Sequence, residues 1–245
     1  MKTIAAYHRP ASVDEAVSLL SRTDVTTTVV AGGTAINTVD LPPGTEVVDI
    51  QDAVGAEIEW RGDRVSYGAM ARLADVVDND ATPPLLAELA RREGPNTLRN
   101  AATIGGTVAE GHSESELVAG LLVHEATVAI SGTATEVPIG VLMADWSLLD
   151  RAVITSVSVA IGGETTSDRT GRTPADTSIV AAAGRVVPDG IRMALTGVAA
   201  NPILVDPDDL TSLNPPADFR GSSEYRRELA RVLAKRVVTR LGGAS

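Results

Sequence analysis

Two stretches of the chain run apolar or β-branched residues into paired glycines, VVAGGTAIN at residues 29–37 and ATIGGTVAEG at 102–111, and they constrain the fold more than any other feature. Glycine has no Cβ, so it reaches positive φ and lets a ligand or another backbone approach closely. Two strands that each end in such a turn form two candidate anion cradles. The plainer reading, a simple turn after a strand, stands beside it. Neither stretch is G-x-G-x-x-G, and no G-x-x-x-x-G-K-[ST] occurs, so the two commonest phosphate loops are excluded by pattern.

The 245 residues suffice for one large domain or two modest ones. Aromatic residues make up 2% of the chain, with Phe219 the single phenylalanine, so the core must be packed from Ala, Val, Leu and Ile. A net charge of −11 argues against non-specific binding to nucleic acid or to an anionic membrane. There is no cysteine, which rules out disulfides and thiolate-held zinc or iron–sulfur centres within this chain. His8, His112 and His124 have no metal-ligand spacing, so no metal site is expected, and redox work would need an organic cofactor. No apolar run is long enough to span a bilayer and no leader is evident, and the expectation is a cytoplasmic protein.

Local signals place the elements. Ser12 and Glu15 have capping-box spacing, followed by Val13, Ala16, Val17 and Leu20 at helical spacing. Thr45 to Ile50 reads as a strand. IEWRGDRVSYG reads as a hairpin about Arg61-Gly62-Asp63, which explains the RGD tripeptide better than adhesion does. Helices are expected over Ala71 to Val77 and Pro84 to Arg92. After the second glycine turn, Ser113 and Glu116 repeat the capping-box spacing ahead of another helix, so that turn and helix start would converge on one anion. Strands follow at 126–130, 135–137 and 152–161, then a polar stretch over 162–178 that marks the best boundary. A hairpin about Pro188-Asp189-Gly190 precedes a last helix with Tyr225, Leu229, Val232, Leu233 and Val237 on one face and its Arg and Lys residues solvated.

Several stretches in order, YHRPASVDEAVSLL, VVAGGTAI, LRNAATIGGTVA and DFRGSSEYRRELARVLAKR, together resemble the FAD-binding medium subunits of molybdenum hydroxylases, such as carbon monoxide dehydrogenase and bacterial xanthine dehydrogenase. The resemblance implies an α+β fold, two subdomains of the vanillyl-alcohol-oxidase (PCMH) type followed by a small α+β C-terminal domain. On this chain that means an FAD-binding domain over 1–162, split near 50–55, a linker over 163–176 and a C-terminal domain over 177–245. It implies that Ala31, Gly32, Gly33, Thr34, Ala35 and Ile36 wrap the FAD pyrophosphate, and that Thr103, Ile104, Gly105, Gly106 and Thr107 make the other diphosphate and ribityl contacts. It also implies an electron relay without a substrate-oxidising site in this chain. A molybdenum-cofactor large subunit and a [2Fe-2S] small subunit would be its partners in a hetero-oligomer.

The chain departs from that pattern at three places. Thr107 stands where relatives carry Asn or Asp, and His112-Ser113-Glu114-Ser115-Glu116 replaces D-P-x-x-D, so the ribityl or ribose acid is at best Glu116. His112 itself reads as a solvated helix-start residue. The polar stretch ETTSDRTGRTPAD holds no aromatic residue to stack on the flavin, and Trp146 reads as a buried core residue. Two functions therefore remain open: a working FAD electron-transfer subunit, or a degenerate scaffold that binds FAD weakly or not at all and serves assembly. A stand-alone flavin oxidoreductase is a third option, for which no acid–base pair or substrate pocket is evident.

Overall fold

In the computed structural model, which describes residues 4–36, 40–171, 173 and 176–242, three separate sheets follow one another along the chain. The first is parallel. Strand β1 (Ala6–His8), helix α1 (Val13–Leu20), β2 (Thr27–Val30) and β3 (Glu46–Asp49) build it in the order β1-β3-β2. Ser12 caps α1 by accepting from the Glu15 amide, while the Glu15 carboxylate reaches back to the Ala11 amide, a capping box displaced by one residue.

The second sheet is antiparallel, in the order β4-β5-β8-β6-β7, from β4 (Ile58–Arg61), β5 (Arg64–Gly68), β6 (Thr127–Ile130), β7 (Val137–Pro138) and β8 (Ile154–Ala160). Between β5 and β6 lie α2 (Leu73–Asp78), α3 (Pro84–Arg92), α4 (Asn96–Arg99), α5 (Ile104–Glu110) and α6 (Glu116–Val123), and α7 (Ile139–Ala144) follows β7. A 3-10 turn at Trp146–Leu149 leaves Trp146 half-buried at the edge of the core rather than enclosed in it.

The third sheet, β12-β11-β10-β9, pairs β9 (Thr165–Thr170), β10 (Val180–Val187), β11 (Gly190–Thr196) and β12 (Ile203–Val205), and α8 (Ser223–Gly242) covers it. All eight residues of α6 are buried, because it lies between α3 and the strands β10 and β11. A helix apolar on nearly every side requires such a place.

Four sequence expectations need correction. Gly105 and Gly106 are not a turn after a strand: they form the first turn of α5, with Thr103 as its cap accepting from the Gly106 amide. The cap of α6 is Ser115, accepting from Val118, and not Ser113. The segment taken for a linker carries β9, which hydrogen-bonds along β10 from Thr165 to Thr170. The buried face of α8 is Arg226, Ala230, Leu233, Ala234, Val237 and Leu241, whereas Tyr225 and Val232 are exposed.

Arg226 is buried on that face, where its two terminal nitrogens donate to the Ile179 and Gly197 carbonyls and to Asp218 at 2.5 Å. The core is aliphatic as expected apart from the fully buried Tyr67, and Phe219 stands 98% exposed on the turn that Asp218 braces.

Candidate functional site

The loop after β2 and the segment leading into α5 face each other across a cavity of about 360 Å³, within the range of small-molecule clefts. Ala31, Gly32, Gly33, Thr34, Ala35 and Ile36 line one side, and Thr103, Gly106 and Thr107 line the other. Nine of the twelve residues expected at a cofactor site therefore share one cavity. The other three do not reach it. Ile104 is buried in the core, and Gly105 packs so closely on Ala69 that a Cβ would lie 2.6 Å from the Ala69 Cβ.

Glu116, expected as the ribityl acid, is held between Arg92 and Arg169, each 3.0 Å away. A carboxylate matched by two guanidinium groups in a buried place is spent on structure. It ties α3 and α6 to strand β9, so sequence spacing put the acid in the right neighbourhood but could not show its partners.

The two loops meet backbone to backbone. A Cβ on Gly32 would lie 1.8 Å from the Ala101 carbonyl oxygen, so only glycine allows this approach. Gly33 has φ of 73°, the left-handed region that bends the loop around the cavity. Among the described residues, the amides of Gly32, Gly33 and Thr34 have no backbone acceptor.

Helix α5 differs. Its Ile104 and Gly105 amides donate to Ala71 and Ala69, and its Gly106 and Thr107 amides return to Thr103. Gly32, Gly33 and Thr34 thus offer backbone donors to an anion, and α5 supplies a wall whose opening amides are already satisfied. The expected convergence of the second glycine turn and the start of α6 on one anion is not seen, because the Leu117 and Val118 amides at that start donate to Glu93 and Ser115.

The cavity's remaining surface is largely apolar, from Val29, Val30, Leu73, Leu98 and Ala102, and no aromatic ring other than His112 is among its described lining residues. Its titratable groups are Glu93, Glu110 and His112. Glu93 accepts from the Ser115 hydroxyl and the Leu117 amide, fastening the start of α6 to the end of α3. Burial pushes its carboxyl above the usual range, and those two hydrogen bonds only partly oppose the shift. His112 is exposed and lies 2.8 Å from Glu110. Among the described residues no cluster of His, Asp and Glu could hold a metal ion, and no helix is long and apolar enough to cross a membrane.

A mixed α+β chain in which a glycine loop faces a helix start across a largely apolar cleft has the architecture of a cofactor-binding domain. Comparison with known proteins makes this specific: residues 2–159 match the FAD binding domain in molybdopterin dehydrogenase, and the chain belongs to that family. It is an FAD-binding medium subunit of the molybdenum hydroxylase type, an oxidoreductase component whose cofactor is FAD.

The chain is 28% identical to YgfM of Escherichia coli (strain K12), across 94% of this chain and 93% of that protein. It is 27% identical to the glyceraldehyde dehydrogenase medium chain of Sulfolobus acidocaldarius, across 69% of this chain and 73% of that one. Among solved structures it superposes on quinoline 2-oxidoreductase from Pseudomonas putida 86 with a TM-score of 0.87 and 21% identity, covering 100% of this chain and 99% of that one. That likeness establishes the shared fold.

Proposed function

We propose that this chain is the electron-transfer subunit of a heteromeric molybdenum hydroxylase, receiving electrons from an iron–sulfur partner chain and passing them to an external acceptor. The observation that carries the proposal is the cavity with its single donor loop. Bound there, FAD would accept and release electrons one or two at a time, a capacity no side chain of this protein has.

The protein's own part is positional. Gly32, Gly33 and Thr34 present fixed donors to the diphosphate, and Thr103, Gly106 and Thr107 form the facing wall. Val29, Val30, Leu73 and Leu98 keep water from the apolar part of the cleft. The residues fit the cofactor's anionic section without any Lys or Arg among the described lining, which reconciles diphosphate binding with a net charge of −11. Residues 1–162 would carry the cofactor and 177–245 would form the C-terminal domain that completes the cleft's surroundings.

A second reading, a scaffold with weak cofactor affinity, draws on two findings: Glu116 is locked between two arginines, and the opening amides of α5 are spent. Co-purification with the adjacent-subunit chains, followed by substrate addition under anaerobic conditions, separates the two. Bleaching of visible flavin absorbance in the complex, absent when the iron–sulfur chain is omitted, is expected for a relay. A stable complex whose flavin stays oxidised, or that carries none, would favour the scaffold.

A further inference from the structure

Ala31 opens the loop that lines one side of the cavity, and the side chain that holds it lies outside the cavity's described lining. Gln51, two residues beyond the end of β3, donates from its Nε2 to the Ala31 carbonyl at 3.3 Å. We infer that Gln51 is a positioning residue for the cofactor: by holding the Ala31 carbonyl it sets the direction of the Gly32 amide. The inference rests on the FAD reading and deepens it, naming a residue that shapes the loop without touching the ligand.

The carboxamide that does this is itself held. The same Nε2 donates to Asp49 Oδ2 at 3.3 Å, and the Gln51 backbone amide donates to Asp49 Oδ1 at 3.0 Å. Asp49 is fully buried at the end of the central strand β3, where it also accepts from the Tyr7 hydroxyl on β1. One polar chain thus crosses the first sheet from β1 through β3 to the loop after β2. The Ala31 carbonyl oxygen can only accept, so the carboxamide must present its nitrogen there, and its two hydrogens serve the two acceptors.

Peptide geometry carries this contact into the loop. The described peptides are all trans, and across a planar trans peptide the N–H points opposite to the C=O. With the Ala31 carbonyl held toward Gln51, the Gly32 N–H is turned away from Gln51. Gly32 and Gly33 have no side chains to restrain them, and glycine loses more freedom on ordering than any other residue. A carbonyl fixed at the head of the loop lowers that cost before a ligand arrives.

Neighbouring contacts do not supply the same restraint. The ladder between β2 and β3 ends with Val30 opposite Asp49, and among the described residues no backbone amide donates to the Ala31 carbonyl. The close approach of Gly32 to Ala101 fixes a spacing, not the rotation of the peptide before it. Arg9 and Asp52 pair beside Gln51 at 2.6 and 2.9 Å without reaching the loop.

The test is FAD titration of the purified chain by flavin fluorescence, for wild type, Gln51→Ala, Gln51→Lys and Asp52→Asn, each beside thermal unfolding. Gln51 and Asp52 are exposed, so all three variants are expected to fold and melt near wild type. Gln51→Ala is expected to bind FAD about threefold to tenfold more weakly. Gln51→Lys, whose ammonium donates to both acceptors, is expected to recover most of that loss. Asp52→Asn, which breaks only the pair with Arg9, is expected to bind FAD as wild type does.

Wild-type affinity in Gln51→Ala, no recovery in Gln51→Lys, or an equal loss in Asp52→Asn would overturn the inference while leaving the cofactor site standing. Folded wild type that binds no FAD would overturn both.

Discussion

Gly32→Ala is the substitution whose effect the structure fixes most tightly. The added Cβ would start 1.8 Å from the Ala101 oxygen and 2.7 Å from its carbonyl carbon. Cβ atoms essentially never approach backbone closer than 3.0 Å, so the two strands of chain must part by at least about 1.2 Å. Both sides of the contact are backbone, so no side chain can swing away.

Overpacking of this kind costs about 1–3 kcal/mol, and rigid backbone on both faces puts this case near 3. The same shift moves the Gly32, Gly33 and Thr34 amides away from the facing wall. Loss of one hydrogen bond to a charged group, about 1.5–3 kcal/mol, corresponds to roughly tenfold to a hundredfold weaker FAD binding.

The assay is FAD titration by fluorescence beside thermal unfolding, with Gly106→Ala as the comparison, since its Cβ would meet only the Thr103 hydroxyl oxygen at 3.0 Å. Gly32→Ala with wild-type FAD affinity and wild-type melting would refute the claim that this glycine joins the two loops.

Three further outcomes follow from buried charge. His124 is 1% exposed, donates through Nδ1 to the Ala160 carbonyl and has its pKa lowered to about 4, chiefly by burial. The unfolded chain takes up that proton near pH 6.5 and the folded chain does not. Stability should therefore be full above that range and fall by about 3 kcal/mol as pH drops from 6.5 to 4, and urea melts of His124→Gln should lose most of this dependence. Arg226→Met should destabilise by about 3–5 kcal/mol, because Asp218 and two buried carbonyls lose their donor. Glu116→Gln should lower the melting temperature, by breaking the contacts with Arg92 and Arg169, yet leave FAD affinity near wild type. A large loss of affinity instead would return Glu116 to the cofactor site.

What the sequence made legible was what its short-range chemistry encodes. Ser12 and Glu15 announce α1, Arg61-Gly62-Asp63 announces a hairpin, and Pro84 begins α3, because each signal and its consequence lie within a few residues. The second glycine pair misled for the opposite reason. Glycine is a poor helix former, but Gly105 is required by the approach of Ala69, a tertiary contact that overrides propensity.

Strand β9 escaped notice because all six of its residues are half-buried, leaving no alternation to read, and its register comes from β10. That residues 31–36 line the cavity was legible from VVAGGTAI alone. The fate of Glu116 was not, since Arg92 and Arg169 arrive from separate elements.

The central claim is that the loop from Ala31 to Ile36 and the face of α5 hold FAD. The most direct measurement is the visible absorption spectrum of the purified, folded chain after incubation with FAD and desalting. The account predicts a retained flavin spectrum at a stoichiometric ratio to protein, lost in Gly32→Ala. A well-folded chain that emerges colourless, alone and in the presence of its partner chains, would contradict it.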